Sequence, residues 1–207
     1  MGKLYPELDE RLRKFIAGQP VFFVATAPCL TSDGRGGHVN LSPKGYPGTF
    51  AVLGPRQVAY LDLTGSGAET IAHVRQNGQI TIMFCSFSRQ PKILRLYGTG
   101  RIVPPGTPEW ADLVGHFAAS GNGSSDASRR AIIVVDLHRI ADSCGYAVPI
   151  MELEQERDLL VRHDEKKTPA ELAAYRMQKN AVSIDGLPAL SAELPATPGS
   201  GTDLAAD

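Results

Sequence analysis

Short apolar segments separated by turn residues are the feature that most constrains the fold of this 207-residue chain. The chain contains 21 glycines and 15 prolines, yet 43% of its residues are hydrophobic. This combination indicates a folded protein with many turns, because the apolar residues suffice for a core. Segments at this spacing predict an antiparallel barrel or sandwich. The seven predicted strands are 21–27, 38–42, 49–53, 57–63, 79–86, 92–103 and 131–140.

Helices are predicted at four places along the chain. The first follows from apolar residues at helical spacing over 8–16 and ends at Gly18. The second ends before Gly78, because glycine is favoured just after a helix. The N-terminal signals are, in chain order, Pro6, Ser66 with Glu69, Thr107 with Pro108, and Thr168 with Glu171.

The chain is predicted to form a single domain over residues 1–190. Within it, residues 150–190 change to a more charged composition and are expected to form a helical C-terminal extension. Residues 191–207 contain two prolines and two glycines among small and polar residues. They are predicted to be a disordered tail.

Charge and composition exclude several classes of protein. With 21 Lys and Arg against 22 Asp and Glu, the formal charge is −1, which argues against a nucleic-acid partner. No apolar run approaches the roughly 20 residues that span a bilayer, and no signal peptide begins the chain, so a cytoplasmic location is expected. The three cysteines, Cys29, Cys85 and Cys144, lie far apart and predict neither a disulfide framework nor a metal site.

A loop between a predicted strand and a predicted helix is the clearest candidate for ligand binding. Thr64, Gly65, Ser66 and Thr70 combine hydroxyl groups with backbone N–H groups at a helix N-terminus, an arrangement that suits a phosphate. The alternative is an ordinary capped turn, in which Glu69 places its carboxylate where a phosphate would lie. Both interpretations remain open from spacing alone.

Polar residues on an earlier predicted strand form a second candidate site. Asn40, Ser42 and Lys44 alternate along one side, which suits a planar polar ligand with an anionic tail. The alternative is the solvent face of a half-exposed strand. Lys92 either pairs with a ligand phosphate or belongs to a solvated hairpin turn. No catalytic motif is present, so no catalytic residue is assigned. His73 lies either on the solvent side of its helix or at a helix–barrel contact, and the prediction is a surface histidine.

Five segments together resemble the pyridoxamine 5′-phosphate oxidase-like, FMN-binding split-barrel superfamily over about residues 7–190. The last two look like a bacterial branch of that family. The segments are HVNLSPKG (38–45), LTGSGAETIAHV (63–74), ILRLYGTGRI (93–102), SCGYAVP (143–149) and KNAVSIDGLP (179–188). The resemblance implies a mainly β protein with flanking helices (α+β), built as a six-stranded antiparallel split barrel. It also implies a homodimer with FMN sites at the subunit interface.

The resemblance implies roles for the candidate residues. Asn40 and Ser42 would lie along the isoalloxazine and ribityl chain, and Lys44 would meet the phosphate. Lys92 would approach from its hairpin, across the dimer. The other implied phosphate contacts are Thr64, Gly65, Ser66 and Thr70.

Two departures from the oxidases proper change these expectations. This chain has Glu69 and Thr70 where those enzymes place a basic pair, so a differently built phosphate site is expected. It also lacks a match for the C-terminal Trp and Arg residues that hold pyridoxal phosphate, so a different substrate is expected. The expected function is a flavin-dependent oxidoreductase that moves a hydride between FMN and a small organic substrate. The alternatives are an F420-dependent reductase and a non-catalytic flavin- or haem-binding protein.

Overall fold

The computed structural model of the chain describes residues 2–30, 34, 36–117 and 126–190. The strands are β1 (Leu4–Tyr5), β2 (Phe22–Thr26), β3 (Asn40–Lys44), β4 (Phe50–Gly54), β5 (Gln57–Leu63), β6 (Gln79–Cys85), β7 (Ile93–Val103) and β8 (Arg129–Ser143). The helices are α1 (Glu10–Ala17), α2 (Glu69–Asn77), α3 (Pro108–Val114), α4 (Leu159–Glu165) and α5 (Pro169–Lys179).

All of these strands belong to one antiparallel sheet. Its strand order is β3-β2-β6-β7-β8-β5-β4, and β1 pairs with β8 through Leu4 and Tyr5. β3 and β4 therefore form the two edges, and no ladder between them exists in the described part of the chain. The register between β7 and β8 shifts between Tyr97 and Gly98, an irregularity that bends the long central strands.

The sheet is buried on both faces where β5 and β8 pair. Ile133 and Val135 point into the larger core with α1 and α2, whereas Ile132 and Val134 point into a second core with Phe117. Successive residues of a strand face opposite sides of a sheet. The unbroken apolar run 131–135 therefore forms a strand that needs cover on both faces.

Two of the predicted N-terminal signals are confirmed: Thr107 caps α3, and Thr168 caps α5 in a capping box. The first helix begins later than Pro6 indicates, because α1 starts at Glu10 with Asp9 as its N-cap residue. The capping box predicted at Ser66 is wrong, because α2 begins only at Glu69 and its N-cap residue makes no side-chain bond. The loop before α2 is held out of helical geometry by hydrogen bonds to its carbonyl groups, which are described with the site below. Gly78 ends α2 with φ at +71°, as expected of a glycine in that position.

The number of strands implied by the resemblance is wrong. Eight strands form the sheet instead of six, and seven of them match the segments predicted from the apolar pattern. The remaining strand, β1, has only two residues, which is too short to give an alternating pattern in the sequence.

The C-terminal extension contains α4 and α5, of which only α5 is predicted from the sequence. The predicted disordered tail, 191–207, lies outside the described residues. Across the described ranges no helix has the length and apolar character needed to cross a bilayer. The cytoplasmic location stays a prediction.

A substitution at Gly98 tests the close approach of β7 to β8. A Cβ atom at this position would lie 2.5 Å from the Asp136 carbonyl oxygen and 2.5 Å from a methyl group of Val135. We therefore expect Gly98→Ala to lower the free energy of unfolding by about 2 kcal/mol or more. Gly115→Ala is the control, because nothing lies within 4 Å of its Cβ position, and we expect a change within about 0.5 kcal/mol. Urea unfolding measures both, and equal stabilities would contradict the packing described here.

Candidate functional site

The polar side chains of β3 lie on one face of the strand, as the alternation predicts. Asn40, Ser42 and Lys44 are half-buried, and the residues between them are exposed. The Ser42 hydroxyl donates to Asn40 Oδ1 at 2.8 Å. The Asn40 amide donates to the hydroxyl oxygens of Thr26 at 3.1 Å and Thr70 at 2.9 Å. These bonds fix the Asn40 side chain and tie β3 to β2 and α2.

His73 on α2 extends this network. Its Nδ1 lies 3.0 Å from the Thr26 hydroxyl oxygen, and its side chain is completely buried. The prediction of a surface histidine is therefore wrong. Part of the reason is that the C-terminal segment packs beside α2, where Arg75 donates to the Ala189 carbonyl. Burial lowers the pKa of His73 below its ordinary value of 6.5, so the imidazole is neutral at pH 7.

A buried carboxylate links β3 to the centre of the sheet. Asp62 on β5 lies with Oδ1 3.0 Å from Lys44 Nζ and with Oδ2 2.8 Å from Arg130 Nε and 2.6 Å from a terminal nitrogen of Arg130. Burial raises the pKa of the Asp62 carboxyl, but the charges of Lys44 and Arg130 outweigh burial and hold it below its ordinary value. Asp62 is therefore ionised at neutral pH and carries a bond to each cation.

The loop of residues 65–67, which we call the 65–67 loop, turns its carbonyl groups inward. Arg130 donates to the carbonyls of Gly65 at 3.3 Å and Gly67 at 2.8 Å. Asn180, completely buried just after α5, donates to the carbonyls of Gly65 at 2.9 Å and Ser66 at 3.2 Å. Each carbonyl of the loop therefore has a side-chain donor beneath it.

The same bonds turn two backbone N–H groups outward. In a trans peptide the C=O and the following N–H point in opposite directions, and no cis peptide is present in the described residues. The inward carbonyls of Gly65 and Ser66 therefore direct the N–H groups of Ser66 and Gly67 toward solvent, where both residues are exposed. Neither N–H donates to another described residue. Adjacent outward N–H groups before a helix N-terminus form a site suited to an anion.

Charge around the 65–67 loop is close to balanced. Lys44, Arg130 and Arg176 are positive and Asp62 and Glu69 negative, and the negative charge of the buried Asp164 also acts on Arg176. Burial lowers the pKa of Arg176, and the nearby charge of Arg130 lowers it further, although the group stays protonated at neutral pH. The first five of these groups are linked to the loop directly or through Asp62 and Thr64.

Glu69 occupies part of the space before α2. Its carboxylate accepts a hydrogen bond from the Ala68 N–H at 3.0 Å and another from the Ile184 N–H at 3.4 Å. It lies 2.9 Å from the position of a Cβ atom on Gly67. An incoming phosphate would therefore meet a carboxylate close to the two outward N–H groups. The sequence analysis raised a carboxylate at this position as the alternative to a phosphate site. The structure contains both the Glu69 carboxylate and the outward N–H groups.

Two of the predicted hydroxyl groups are already engaged within the protein. Thr64 is buried, donates to the Ser128 carbonyl at 2.9 Å and accepts from Arg176 Nε at 2.8 Å. The buried Thr70 hydroxyl accepts from Asn40. Of the three predicted hydroxyls, only that of Ser66 is exposed.

Lys92 lies apart from the other predicted site residues. Its Nζ is 3.6 Å from Asp142 Oδ2 and stands over the rings of Tyr5 and Phe15. Asp142 is at the end of β8. The 65–67 loop follows β5, whose last residue pairs with Arg129 at the beginning of β8. Lys92 and the loop are therefore at opposite ends of β8. The remaining predicted residues, Asn40, Ser42, Lys44, Thr64, Gly65, Ser66 and Thr70, come together around the 65–67 loop and β3.

Three residues that shape the loop were missed from the sequence. Arg130 stands in an Arg-Arg pair before an apolar run, and Arg176 and Asn180 follow the loop by more than 100 positions. Nothing in local spacing connects them to residues 65–67. The only signal was the segment KNAVSIDGLP, which carries the resemblance but implies no role for Asn180.

An open cavity begins where β3 ends. It has a volume of about 680 Å³ and lies between the Gly45–Tyr46 turn and the segment 151–157, with Gln19, Phe87 and Leu153 among its lining residues. An adjoining cavity of about 640 Å³ reaches the aromatic end of the larger core. None of the predicted cofactor-binding residues lines either cavity.

The buried His73 makes stability depend on pH. The unfolded chain binds a proton near pH 6.5 but the folded chain only at lower pH, so the free energy of unfolding falls as pH decreases from about 7 to 5. The contribution of one such group is at most about 1.4 kcal/mol per pH unit. We expect urea unfolding of His73→Asn to show a shallower pH dependence than the wild type. The exposed His138 is the control, and His138→Asn is expected to keep the wild-type slope. Identical slopes for all three proteins would contradict this account.

Comparison with known proteins identifies the family. The family model "Pyridoxamine 5′-phosphate oxidase" matches residues 8–144. The pyridoxamine 5′-phosphate oxidase family protein ustO of Aspergillus flavus is 40% identical over 204 residues, which cover 92% of this chain and 78% of that protein.

Solved structures give weaker likenesses. HupZ of Group A Streptococcus, as its H111A variant, is 20% identical with a TM-score of 0.49, covering 66% of this chain and 99% of HupZ. A pyridoxamine 5′-phosphate oxidase-related, FMN-binding protein of Nostoc punctiforme is 13% identical with a TM-score of 0.41, covering 59% and 73%. With TM-scores below 0.5, these two likenesses carry no weight in the assignment. The family model and the relative with 40% identity confirm the resemblance: the chain belongs to the pyridoxamine 5′-phosphate oxidase family.

Proposed function

We propose that this protein binds FMN and transfers a hydride between the flavin and a small organic molecule. The observation that carries the proposal is the orientation of the 65–67 loop, whose Ser66 and Gly67 N–H groups face solvent. The loop lies beside the polar face of β3. A phosphate ester needs such donors, and a flavin needs a neighbouring row of hydrogen-bonding side chains.

The residues of the site suit a phosphate monoester. The two outward N–H groups and the Ser66 hydroxyl would bind the phosphate oxygens. Lys44 and Arg130 carry two positive charges, and Asp62 between them carries one negative charge. Glu69 opposes this attraction, so a modest affinity is expected. Such a phosphate site would be built differently from one that uses a pair of basic side chains.

The side chains of β3 would orient the flavin. Both N–H groups of the Asn40 amide are engaged by Thr26 and Thr70, so Asn40 cannot rotate without breaking a bond. Ser42 donates its proton to Asn40, so its oxygen offers lone pairs to a donor group on the ligand. FMN supplies the hydride chemistry when bound, and the chain supplies its position and hydrogen bonds.

The cavity beyond β3 is the proposed location of the organic substrate. It starts at Gly45, directly after Lys44, and its walls include the apolar side chains of Phe87, Met151 and Leu153. An apolar wall beside a polar strand suits a small organic molecule of mixed polarity. This proximity supports transfer between a flavin along β3 and a substrate in the cavity.

Absorption and titration test the cofactor. We expect the purified protein to bind FMN with quenching of flavin fluorescence, and to be yellow if the flavin is retained. Ser66→Asp adds a charge next to the phosphate and should weaken FMN binding about tenfold or more. Glu69→Gln removes a charge but keeps an oxygen for the Ala68 N–H, so FMN should bind several-fold more tightly.

Gln79→Glu is the matched control for charge. Gln79 is exposed beyond the C-terminal end of α2, far from the 65–67 loop, so its variant should bind FMN like the wild type. Equal affinities for Ser66→Asp, Glu69→Gln and the wild type would contradict the phosphate site. Tight binding of F420 or haem with no binding of FMN would contradict the cofactor. Reduction by NADH or NADPH, followed by reoxidation with an acceptor, separates an oxidoreductase from a flavin carrier.

We further propose a homodimer with the flavin between subunits. Two features of the described residues support it: the predicted cofactor residues enclose no cavity within one chain, and edge strand β3 is flanked by exposed apolar groups. Val39 is 73% and Leu41 64% exposed. A partner subunit would cover them. The partner's Lys92 would have to leave its ion pair with Asp142 to approach the phosphate.

Sedimentation velocity tests this arrangement. We expect a species of twice the 22.2 kDa chain mass, and expect Leu41→Asp to shift it toward the monomer while weakening FMN binding. The charged side chain would disrupt an apolar interface but leave the fold intact, because Leu41 is exposed. A wild-type monomer that binds FMN would contradict the interface site.

A further inference from the structure

We propose that Asn180 is a positioning residue that makes the site prefer FMN over riboflavin, the same flavin without its phosphate. The inference rests on the proposed function, because it concerns the phosphate group of that cofactor. Asn180 does not contact the ligand in this account. It acts through the peptide units of the 65–67 loop, which it holds from beneath.

The Asn180 side chain is rigidly held. It is completely buried. Its backbone N–H donates to the Arg176 carbonyl at 2.7 Å, and its own carbonyl accepts from the Leu190 N–H at 2.9 Å. Its Nδ2 group donates to the Gly65 and Ser66 carbonyls. A side chain fixed at both its backbone and its amide cannot follow a change in the loop, so it imposes an orientation on the loop.

Loss of the Asn180 amide would affect mainly one peptide unit of the loop. The Gly65 carbonyl has a second donor in Arg130, but the Ser66 carbonyl has only Asn180 among the described residues. Without Asn180 the peptide between Ser66 and Gly67 loses the bond that turns its carbonyl inward. Its N–H, on Gly67, is then no longer held outward. The loss is one anion donor, and the ion pairs of Asp62 stay in place.

The rest of the C-terminal segment 180–190 is anchored independently of Asn180. The Asp185 carboxylate accepts from the His38 backbone N–H at 2.8 Å and lies 2.7 Å from His38 Nδ1. The Ile184 N–H donates to Glu69, and the Ala189 carbonyl accepts from Arg75. These contacts join the segment to the start of β3 and to α2. They keep residue 180 under the loop even when its side chain is changed.

The amide also has a feature that packing alone does not explain. Its Oδ1 atom is buried and has no hydrogen-bond partner within the described ranges. An unpaired buried oxygen destabilises the fold, because it loses its hydrogen bonds to water without replacement. An apolar side chain of the same size would avoid that penalty. The two bonds to the 65–67 loop are what the amide provides and an apolar side chain does not.

The test compares FMN with riboflavin in the full-length protein. Asn180→Leu keeps a similar volume and removes both hydrogen-bond donors. We expect riboflavin to bind as in the wild type and FMN to bind about tenfold more weakly. The dissociation constant of riboflavin divided by that of FMN therefore falls about tenfold. Inorganic phosphate should compete with FMN in the wild type and much less in the variant.

Asn77→Leu is the matched control. Asn77 also donates its amide to a backbone carbonyl, that of Ala27, but at the opposite end of α2. Its variant should keep the wild-type ratio. If Asn180→Leu fails to fold, Asn180→Ala gives the same comparison, with thermal melting and circular dichroism reporting the fold. Glycine-selective ¹⁵N labelling of the wild type adds a measurement without substitution, in which added inorganic phosphate should shift the Gly67 amide signal.

Each outcome separates the two proposals. A wild type that binds neither flavin contradicts the proposed function, and this inference falls with it. A wild type that binds FMN while Asn180→Leu keeps the wild-type ratio contradicts only the role of Asn180. Equal weakening of FMN and riboflavin indicates a merely structural role and also overturns the inference. A Gly67 amide that does not respond to phosphate contradicts the outward orientation of the loop.

Discussion

The buried ion pairs of Asp62 are the interaction on which the site depends. One carboxylate on β5 binds a cation from β3 and another from β8, so three strands converge at one point. Removing the carboxylate would leave two cations without a partner in a desolvated environment, which proteins tolerate poorly. Arg130 then uses its remaining nitrogen for the carbonyls of the 65–67 loop. The charge balance of the sheet and the shape of the loop are therefore set by the same guanidinium group.

Much of the fold was predictable because its signals are local. The apolar segments locate seven strands, and Thr107 and Thr168 mark the starts of α3 and α5. The failures are local as well. β1 is too short for any pattern, and α4 has a charged sequence without a strong N-terminal signal. The capping box at Ser66 has the right spacing, but tertiary bonds to the loop carbonyls outweigh the local preference.

The site was predictable only in part, because half of its chemistry is non-local. Alternation along β3 indicates Asn40, Ser42 and Lys44, and the turn before α2 indicates Ser66. Whether a loop presents N–H or C=O groups depends on what lies beneath it, and here that is Arg130 and Asn180 from distant positions. The burial of His73 has a similar origin, since the C-terminal segment packs beside α2. The spacing of residues within one helix cannot show that a distant segment of the chain will bury one of its side chains.

The position of Asn180 in the chain has a consequence for the order of biosynthesis. The loop that it orients is complete after about one third of the chain has been made, and Arg130 can hold the Gly65 and Gly67 carbonyls once β8 has formed. The Ser66 carbonyl receives its donor only when Asn180 follows. A ribosome-bound chain that has exposed only the sheet therefore has the strand residues of the site without the finished loop.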